Sequence, residues 1–250
     1  MDINDYTAKY AAQYQGQGQG WFERVLVAAR RQQVFASLNA YPHRSLLEVG
    51  CGLEPLFTYW TEFDRCTIVE PSSEFVAKAR AAAPAGVEVF KGFLEDVVSE
   101  IERHAPFDFV VLSSLLHEVP DAPRLLATVR RLCSTATVVH VNVPNVYSFH
   151  RLLALEMGAI RDLFEQSETE KKFQRHTRFD RATLNSLLER CGFEVLRFGT
   201  YFVKPFTHAQ MELLIDSGTL EHRALKGLER MTKYLPEMGC EMFAEVRPQG

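Results

Sequence analysis

The sequence lacks an excess of positive charge. Its 28 lysine and arginine residues are outnumbered by 32 aspartate and glutamate residues, which gives a formal net charge of -4 and a pI near 6.1. The basic residues are scattered along the chain, whereas nucleic-acid-binding domains concentrate them on one face or along one helix. We therefore expect no nucleic-acid partner.

Long hydrophobic runs are also missing. No stretch approaches the roughly 18 consecutive apolar residues that a membrane-spanning helix needs. The chain begins MDINDYTAKY, which is acidic and polar and contains no basic segment followed by an apolar core, as a secretory signal would. We therefore expect no membrane partner and a cytoplasmic location.

The cysteines offer no metal-binding pattern. The five residues are widely spaced, form no C-x-x-C pair and stand in no cysteine–histidine cluster with the spacing of zinc ligands. We expect reduced, mostly buried thiols and no metal site. The residues concerned are Cys51, Cys66, Cys133, Cys191 and Cys240.

What the sequence does contain is an alternation of short apolar runs with helical segments. Seven runs are predicted as strands: SLLEVG, CTIVE, VEVFKG, FDFVVLS, TVVHVNV, FEVLRFGTYFV and CEMFAEVR. The segments between the first five have helical character, as in SSEFVAKARAAA, LEDVVSEIERH and PRLLATVRRLC. This alternation predicts an α/β fold with a parallel sheet covered by helices on both faces.

The segments outside this alternation predict a lid and two caps. Residues 1–40 contain the evenly spaced Tyr6, Tyr10 and Tyr14, the glycine-rich run QGQGQG and a helix over residues 21–38. We expect them to form an N-terminal helical lid on a main domain of residues 41–250. Insertions at about residues 148–178 and 206–240 are predicted as helical caps, and the apolar run AQMELLI in the second could equally form a homodimer interface.

The strongest functional signal is the loop EVGCG at residues 48–52, directly after the first strand. Glycines let the backbone turn sharply and approach a ligand closely. An acidic residue at the end of the second strand, Glu70, can accept hydrogen bonds from both hydroxyls of a ribose. Together these residues predict a nucleoside-binding site.

These motifs resemble the class I S-adenosylmethionine-dependent methyltransferases, in which E/D-x-G-x-G cradles the cofactor and an acid ending the second strand holds its ribose. The resemblance covers roughly residues 45–200 and the terminal strand pair. It implies a mostly parallel, seven-stranded Rossmann-like sheet with an antiparallel last strand. It also implies S-adenosylmethionine as cofactor, S-adenosylhomocysteine as product and a small-molecule acceptor. Arg30 is the alternative to Arg31 for the carboxylate of the cofactor. The cofactor-binding residues that the resemblance implies are Tyr14, Arg31, Glu48, Gly50, Cys51, Gly52, Glu70, Pro71, Phe93, Leu94, Glu95, Ser113 and Leu115.

The sequence departs from the family pattern where a third small residue is common, because it reads Leu53-Glu54-Pro55 there. The resemblance then places Glu54 near the amino group of the methionine moiety. A dinucleotide dehydrogenase also has an acid about 20 residues beyond its glycines, but its fingerprint needs glycine where Pro55 stands. The sequence therefore favours the methyltransferase over the dehydrogenase. A non-catalytic cofactor-binding scaffold is disfavoured because the glycine loop and Glu70 are both retained.

Three histidines are candidates for the base that a hydroxyl acceptor needs: His117 after the fourth strand, His150 after the fifth and His176 in the segment HTRFD. A structural role is the alternative for each histidine. Asp180, the last residue of HTRFD, is another candidate for the substrate wall, and its alternative role is that of N-cap for the following helix. HTRFD resembles the segment before the penultimate helix of small-molecule O-methyltransferases, which implies O-methylation of a sugar or natural-product intermediate. N-methylation of a small molecule stays open, and the predicted caps disfavour an extended peptide as acceptor.

A lid over the cofactor can be tested by truncation. Deleting residues 1–20 should weaken S-adenosylmethionine binding, because closure of a lid excludes water from the site. Isothermal titration calorimetry of the full-length and truncated proteins measures the two dissociation constants. Equal constants would show that the segment takes no part in cofactor binding.

Overall fold

The computed structural model of the protein describes Thr7 and residues 20–165 and 177–250. Seven strands form its centre: β1 (Ser45–Val49), β2 (Arg65–Glu70), β3 (Val87–Lys91), β4 (Phe107–Ser113), β5 (Cys133–Pro144), β6 (Phe193–Tyr201) and β7 (Glu241–Pro248). They make one sheet with the order β3-β2-β1-β4-β5-β7-β6. β1 to β5 run parallel, and β7 lies antiparallel between β5 and β6.

The helices of the described residues lie on both faces of this sheet. They are α1 (Trp21–Leu38), α2 (Ser73–Ala82), α3 (Leu94–Ile101), α4 (Ala122–Arg131), α5 (Phe149–Glu156), α6 (Arg181–Arg190), α7 (His208–Asp216) and α8 (His222–Arg230). In this part of the chain, no helix is both long and apolar enough to cross a membrane. The predicted α/β class, the mostly parallel Rossmann-like sheet and its antiparallel last strand are confirmed.

Leu46 and Leu47 show how one strand contributes to two cores. Neighbouring side chains of a strand point to opposite faces of the sheet. Leu47 belongs to the core that includes residues of α3, α4 and α6, whereas Leu46 belongs to the core that includes residues of α1 and α2. Strands that are buried on both faces read as nearly continuous apolar runs. This is why SLLEV and FDFVVLS could be predicted as strands.

Two strand boundaries differ from the prediction by more than one residue. The apolar run after Phe193 predicted a strand as far as Val203, but β6 ends at Tyr201. Phe202 has a φ of 58°, a left-handed conformation that breaks the extended backbone. Cys133, predicted as the end of a helix, instead begins β5 after α4 has ended at residue 131.

Among its described residues, the first predicted cap contains one α-helix, α5. α5 ends at Glu156, and Gly158 follows with a φ of 70°, the left-handed conformation that commonly ends a helix. Turns and bends continue to residue 165, and Arg151 donates hydrogen bonds to the Leu163 carbonyl. Residues 166–176 lie outside the described residues. The second predicted cap contains α7 and α8.

A carboxylate from α7 satisfies the N-terminus of α1. The N–H groups of Gly20, Trp21 and Phe22 donate to the Glu212 carboxylate at 2.8–2.9 Å. The first N–H groups of a helix have no partner within it, and a negative charge is favourable at this positive end of the helix dipole. This contact fixes the helix that crosses β4, β5 and β6.

A capping box at the start of α6 allows a stability test. The Asp180 carboxylate accepts the Thr183 N–H at 2.7 Å, and the Thr183 hydroxyl oxygen accepts the Asp180 N–H at 3.0 Å. Asp180→Ala should lower the free energy of unfolding by about 1 kcal/mol, measured by urea denaturation. Glu189→Ala, at an exposed position near the other end of the helix, is the control and should change it by less than about 0.5 kcal/mol. Equal effects would contradict the capping role.

Candidate functional site

A cavity of about 450 Å³ lies at the carboxyl ends of β1 to β4, with α1 along one side. Ligands of open α/β sheets bind at this edge, and the volume is typical of a small-molecule site. The cofactor residues predicted from the sequence line this cavity wherever they are described. They are Arg31, Glu48, Gly50, Cys51, Gly52, Glu70, Pro71, Phe93, Leu94, Glu95, Ser113 and Leu115. Tyr14, the remaining member of the set, lies outside the described residues.

Gly50 and Gly52 shape the loop after β1. Their φ angles of 78° and 58° are left-handed, a conformation that residues with a Cβ rarely adopt. The Gly50 N–H donates to the Val69 carbonyl at 2.8 Å, and a Cβ at Gly50 would lie 3.3 Å from Leu115 Cδ1. Because Gly50 and Gly52 have no side chains, the backbone of the loop itself lines the cavity at these two positions.

Glu70 ends β2 and joins two loops. Its carboxylate accepts the Gly52 N–H at 3.1 Å through Oε2 and the Ser72 N–H at 2.8 Å through Oε1. Burial, with only 4% of the residue exposed, raises the pKa of Glu70 above its usual range, and the hydrogen bonds oppose that effect. A carboxylate has about four acceptor positions, and those not used by Gly52 and Ser72 are open to Cys51 and to a ligand.

Glu48 lies beneath the same loop. Its carboxylate accepts the Leu56 N–H at 2.9 Å. Burial raises the pKa of Glu48 to about 7, with a further increase from the charge of Glu70, while the Leu56 hydrogen bond and Arg31 act in the opposite direction. Glu48 therefore fixes the far end of the loop and titrates near neutral pH.

The loops after β3 and β4 complete the sheet edge. Phe93 is 43% exposed and stands immediately before α3, whose first turn contains Glu95. After β4, Ser114 has a φ of 56°, and its N–H donates to Asn142 Oδ1 at 2.8 Å. The hydroxyl of Ser113 accepts a hydrogen bond from Asn142 Nδ2 at 3.1 Å. The polar groups of the β4 loop and the exposed ring of Phe93 therefore lie at the same edge of the sheet.

One face of α1 contributes residues to the cavity, and sequence reasoning missed all of them except Arg31 and its alternative, Arg30. Residues at positions i, i+4, i+7, i+8 and i+11 share this face, and they are Glu23, Val27, Arg30, Arg31 and Val34. Helical periodicity could have placed them together. It could not show that their face would meet the cavity.

Both arginines on this face are paired with carboxylates. Arg31 pairs with Glu54, and its guanidinium lies 3.4 Å from the centroid of the Tyr59 ring. The Glu54 carboxylate, expected near the amino group of the cofactor, is paired with Arg31, and both residues line the cavity. Arg30 forms a two-point contact with Glu241, in which Nε donates to Oε2 at 2.9 Å.

Neither described histidine candidate lines the cavity. His117 is 2% exposed, but its Nε2 lies 3.5 Å from Oε1 of Glu118, which does line the cavity. Burial lowers the pKa of His150 to about 2, with further contributions from nearby cations that include Lys204. His176 lies outside the described residues. Sequence reasoning singled out the histidine at the β4 loop and missed its acidic neighbour.

The fold and the cavity define an S-adenosylmethionine-dependent methyltransferase. The chain belongs to the methyltransferase-domain family, because the profile described as "Methyltransferase domain" matches residues 16–197, more than half of its length. This confirms the predicted enzyme class and S-adenosylmethionine as the cofactor. No curated protein sequence matches the chain significantly.

Solved structures of methyltransferases share the fold. An S-adenosylmethionine-dependent methyltransferase from Mesorhizobium loti is 19% identical, with 89% of this chain and 99% of that chain covered and a TM-score of 0.60. Magnesium protoporphyrin IX methyltransferase from Synechocystis PCC 6803, solved with S-adenosylhomocysteine, is 13% identical, with coverages of 96% and 94% and a TM-score of 0.60. The plantazolicin methyltransferase BamL, also solved with S-adenosylhomocysteine, is 13% identical, with coverages of 99% and 99% and a TM-score of 0.56.

The donor set of the cavity fits S-adenosylmethionine. Glu70 has acceptor positions left for a pair of hydroxyls, and the loop of Gly50 and Gly52 leaves its backbone accessible. Phe93 offers an aromatic ring to a base. Acidic side chains outnumber arginines in the lining, which favours a ligand that carries a positive charge.

The titration of Glu48 predicts how stability changes with pH. Its pKa is about 7 in the folded protein against an ordinary 4.5, so the folded state binds more protons in this interval and stability falls as the pH rises through it. Glu48→Gln removes this titration, and its amide oxygen can still accept the Leu56 N–H. In urea denaturation, the variant should gain ~1–3 kcal/mol relative to the wild type between about pH 5 and about pH 8. Glu62→Gln, at an exposed position, should show no such gain, and a similar gain there would contradict the assignment.

Proposed function

We propose that the chain transfers the methyl group of S-adenosylmethionine to a hydroxyl of a small molecule, such as a sugar or a natural-product intermediate. The observation that carries this proposal is the continuity of the cavity. It extends from the predicted cofactor residues to the face of α1 and to a carboxylate, Glu118, that can accept a proton. Two proteins of similar fold are named for magnesium protoporphyrin IX and plantazolicin, which supports a small-molecule acceptor.

Each end of the cofactor has a partner of suitable chemistry in the cavity lining. Glu70 would accept the two ribose hydroxyls, Phe93 would contact adenine and Glu95 would accept the exocyclic amine. Arg31 would meet the methionine carboxylate, because a guanidinium has five N–H donors and Glu54 uses only part of that set.

The bound cofactor supplies a methyl group activated by the adjacent sulfonium. The residues of the cavity would hold the acceptor beside this methyl group and exclude water. A hydroxyl acceptor must lose its proton to a base within reach. We assign this role to Glu118, because its carboxylate lines the cavity and lies 3.5 Å from the buried imidazole of His117. His150, with a pKa of about 2, is a poor base.

A small-molecule amine is the second candidate acceptor. The lining contains more carboxylates than arginines, which favours a basic acceptor over an acidic one. A neutral amine attacks through its lone pair and needs no base before methyl transfer. The two candidates therefore differ in their dependence on Glu118.

Calorimetric titration with S-adenosylmethionine, S-adenosylhomocysteine and NAD tests the cofactor site. The wild-type protein should bind the first two compounds and not NAD. Glu70→Ala should weaken both affinities about tenfold or more, because the ribose hydroxyls lose a charged acceptor. Glu74→Ala, at an exposed position on α2, is the matched control and should bind like the wild type. Binding of NAD alone, or of none of the three, would overturn the proposed function.

Transfer of a labelled methyl group to a panel of hydroxyl and amine compounds tests the acceptor. For a hydroxyl acceptor, Glu118→Gln should lower kcat and leave the dissociation constant of S-adenosylmethionine almost unchanged. Labelled product from amines alone, with kcat unaffected by Glu118→Gln, would favour the second candidate over the first.

A further inference from the structure

A buried line of polar side chains runs from the cavity wall at β4 to α1 and β7. Asn142 and His140 lie on β5, Ser37 on α1 and Glu245 on β7, and each is 0% exposed. They lie behind the cavity wall and not among its lining residues. Buried polar groups are costly unless they are hydrogen-bonded, so the order of donors and acceptors along this line is constrained.

The orientation of the Asn142 amide follows from its contact with the cavity wall. Oδ1 accepts the Ser114 N–H at 2.8 Å, so the amide nitrogen is on the other side, 3.1 Å from Ser113 Oγ and 3.2 Å from His140 Nε2. An amide NH₂ group only donates hydrogen bonds. His140 Nε2 must therefore be an acceptor that carries no proton.

The remaining contacts agree with this tautomer. A neutral ring whose Nε2 is an acceptor has its proton on Nδ1, which lies 2.9 Å from Ser37 Oγ. The Ser37 hydroxyl donates to Glu245, whose carboxylate is also bound by Arg197. Burial lowers the pKa of His140 to about 4. The charge of Arg197 also lowers this pKa, whereas the charge of Glu245 raises it. The imidazole also stacks on Phe243, with the ring centroids 6.0 Å apart.

The cavity wall needs such support at Ser114. Its φ of 56° is uncommon for a residue other than glycine, and conformations of this kind persist only where the surroundings fix them. Asn142 is bonded to the Ser114 N–H and to the Ser113 hydroxyl, and both serines line the cavity. A rotation of the Asn142 amide would break both contacts and leave the Ser114 N–H with only its bond to the main-chain carbonyl of Asn142, at 3.0 Å.

We propose that His140 is a positioning residue for the cavity: with its proton on Nδ1, it accepts from Asn142 and so fixes the amide that holds Ser113 and Ser114 in the wall. The inference rests on the proposed function in one respect, because the wall concerned is part of the proposed cofactor site. His140 touches neither ligand and acts through Asn142.

The tautomer can be measured without any ligand. Long-range ¹H–¹⁵N NMR spectra at about pH 7 should show His140 neutral, with the proton on Nδ1. Asn142→Asp should change this state, because a carboxylate only accepts and would draw a proton onto Nε2. A wild-type ring protonated on Nε2, or a ring that is unchanged in Asn142→Asp, would overturn the proposal.

Two substitutions of His140 separate positioning from general packing. In His140→Gln, the longer side chain can place its amide oxygen near the position of Nε2 and still accept from Asn142. In His140→Asn, the shorter side chain can reach Ser37 but not Asn142. We expect S-adenosylmethionine binding to weaken about tenfold in His140→Asn, because the cavity wall would shift by a fraction of an ångström. In His140→Gln, binding should weaken less than about threefold. The Ser114 amide should exchange its hydrogen faster in His140→Asn than in His140→Gln.

The outcomes distinguish this proposal from the proposed function. Equal losses of affinity in the two variants, with equal exchange at Ser114, would show that His140 only packs and would overturn the positioning role. If the wild-type protein does not bind S-adenosylmethionine, the proposed function fails, and the ring tautomer and Ser114 exchange still decide whether His140 positions the wall.

Discussion

The carboxylate of Glu70 joins the two loops on which the cavity depends. Parallel strands end at the same edge of a sheet, so the loop after β1 and the start of α2 emerge side by side. Glu70 accepts an N–H from each, at Gly52 and Ser72, in an almost fully buried position. A buried charge is stable only when it is well hydrogen-bonded, so the geometry of both loops and the acceptor positions left for a ribose depend on one group.

The sheet and its polar edge could be predicted because their signals are local. Strands covered on both faces need apolar side chains at nearly every position, so their runs stand out in the sequence. The residues that follow each strand must then lie at one edge, which brought the glycine loop and Glu70 together without knowledge of any distant contact, and the family resemblance added Phe93. Glycines at positive φ add a second local signal, since few other residues tolerate the conformations of Gly50 and Gly52.

The remaining parts depend on contacts between residues far apart in the chain. Arg30 is bound to Glu241, 211 positions away, and no local pattern indicates that α1 turns this face to the cavity. The prediction of a histidine base illustrates a related difficulty, because neighbours in the sequence need not both reach a cavity. Glu118 is a lining residue, whereas His117 is not. Likewise, the apolar run through Val203 gives no sign that Phe202 is left-handed and ends β6.

The two acids beneath the glycine loop illustrate how burial assigns different states to similar side chains. Glu70 receives two backbone N–H groups and Glu48 receives one, and the charge of Glu70 raises the pKa of Glu48. Two neighbouring carboxylates in a buried site are not both ionised without cost, so a proton near neutral pH is favoured on the one with fewer backbone donors, Glu48. A protonated Glu48 can still accept the Leu56 N–H through its carbonyl oxygen and so keep the loop in place. The site can then keep a rigid loop and present one anionic acceptor, Glu70, to the ligand.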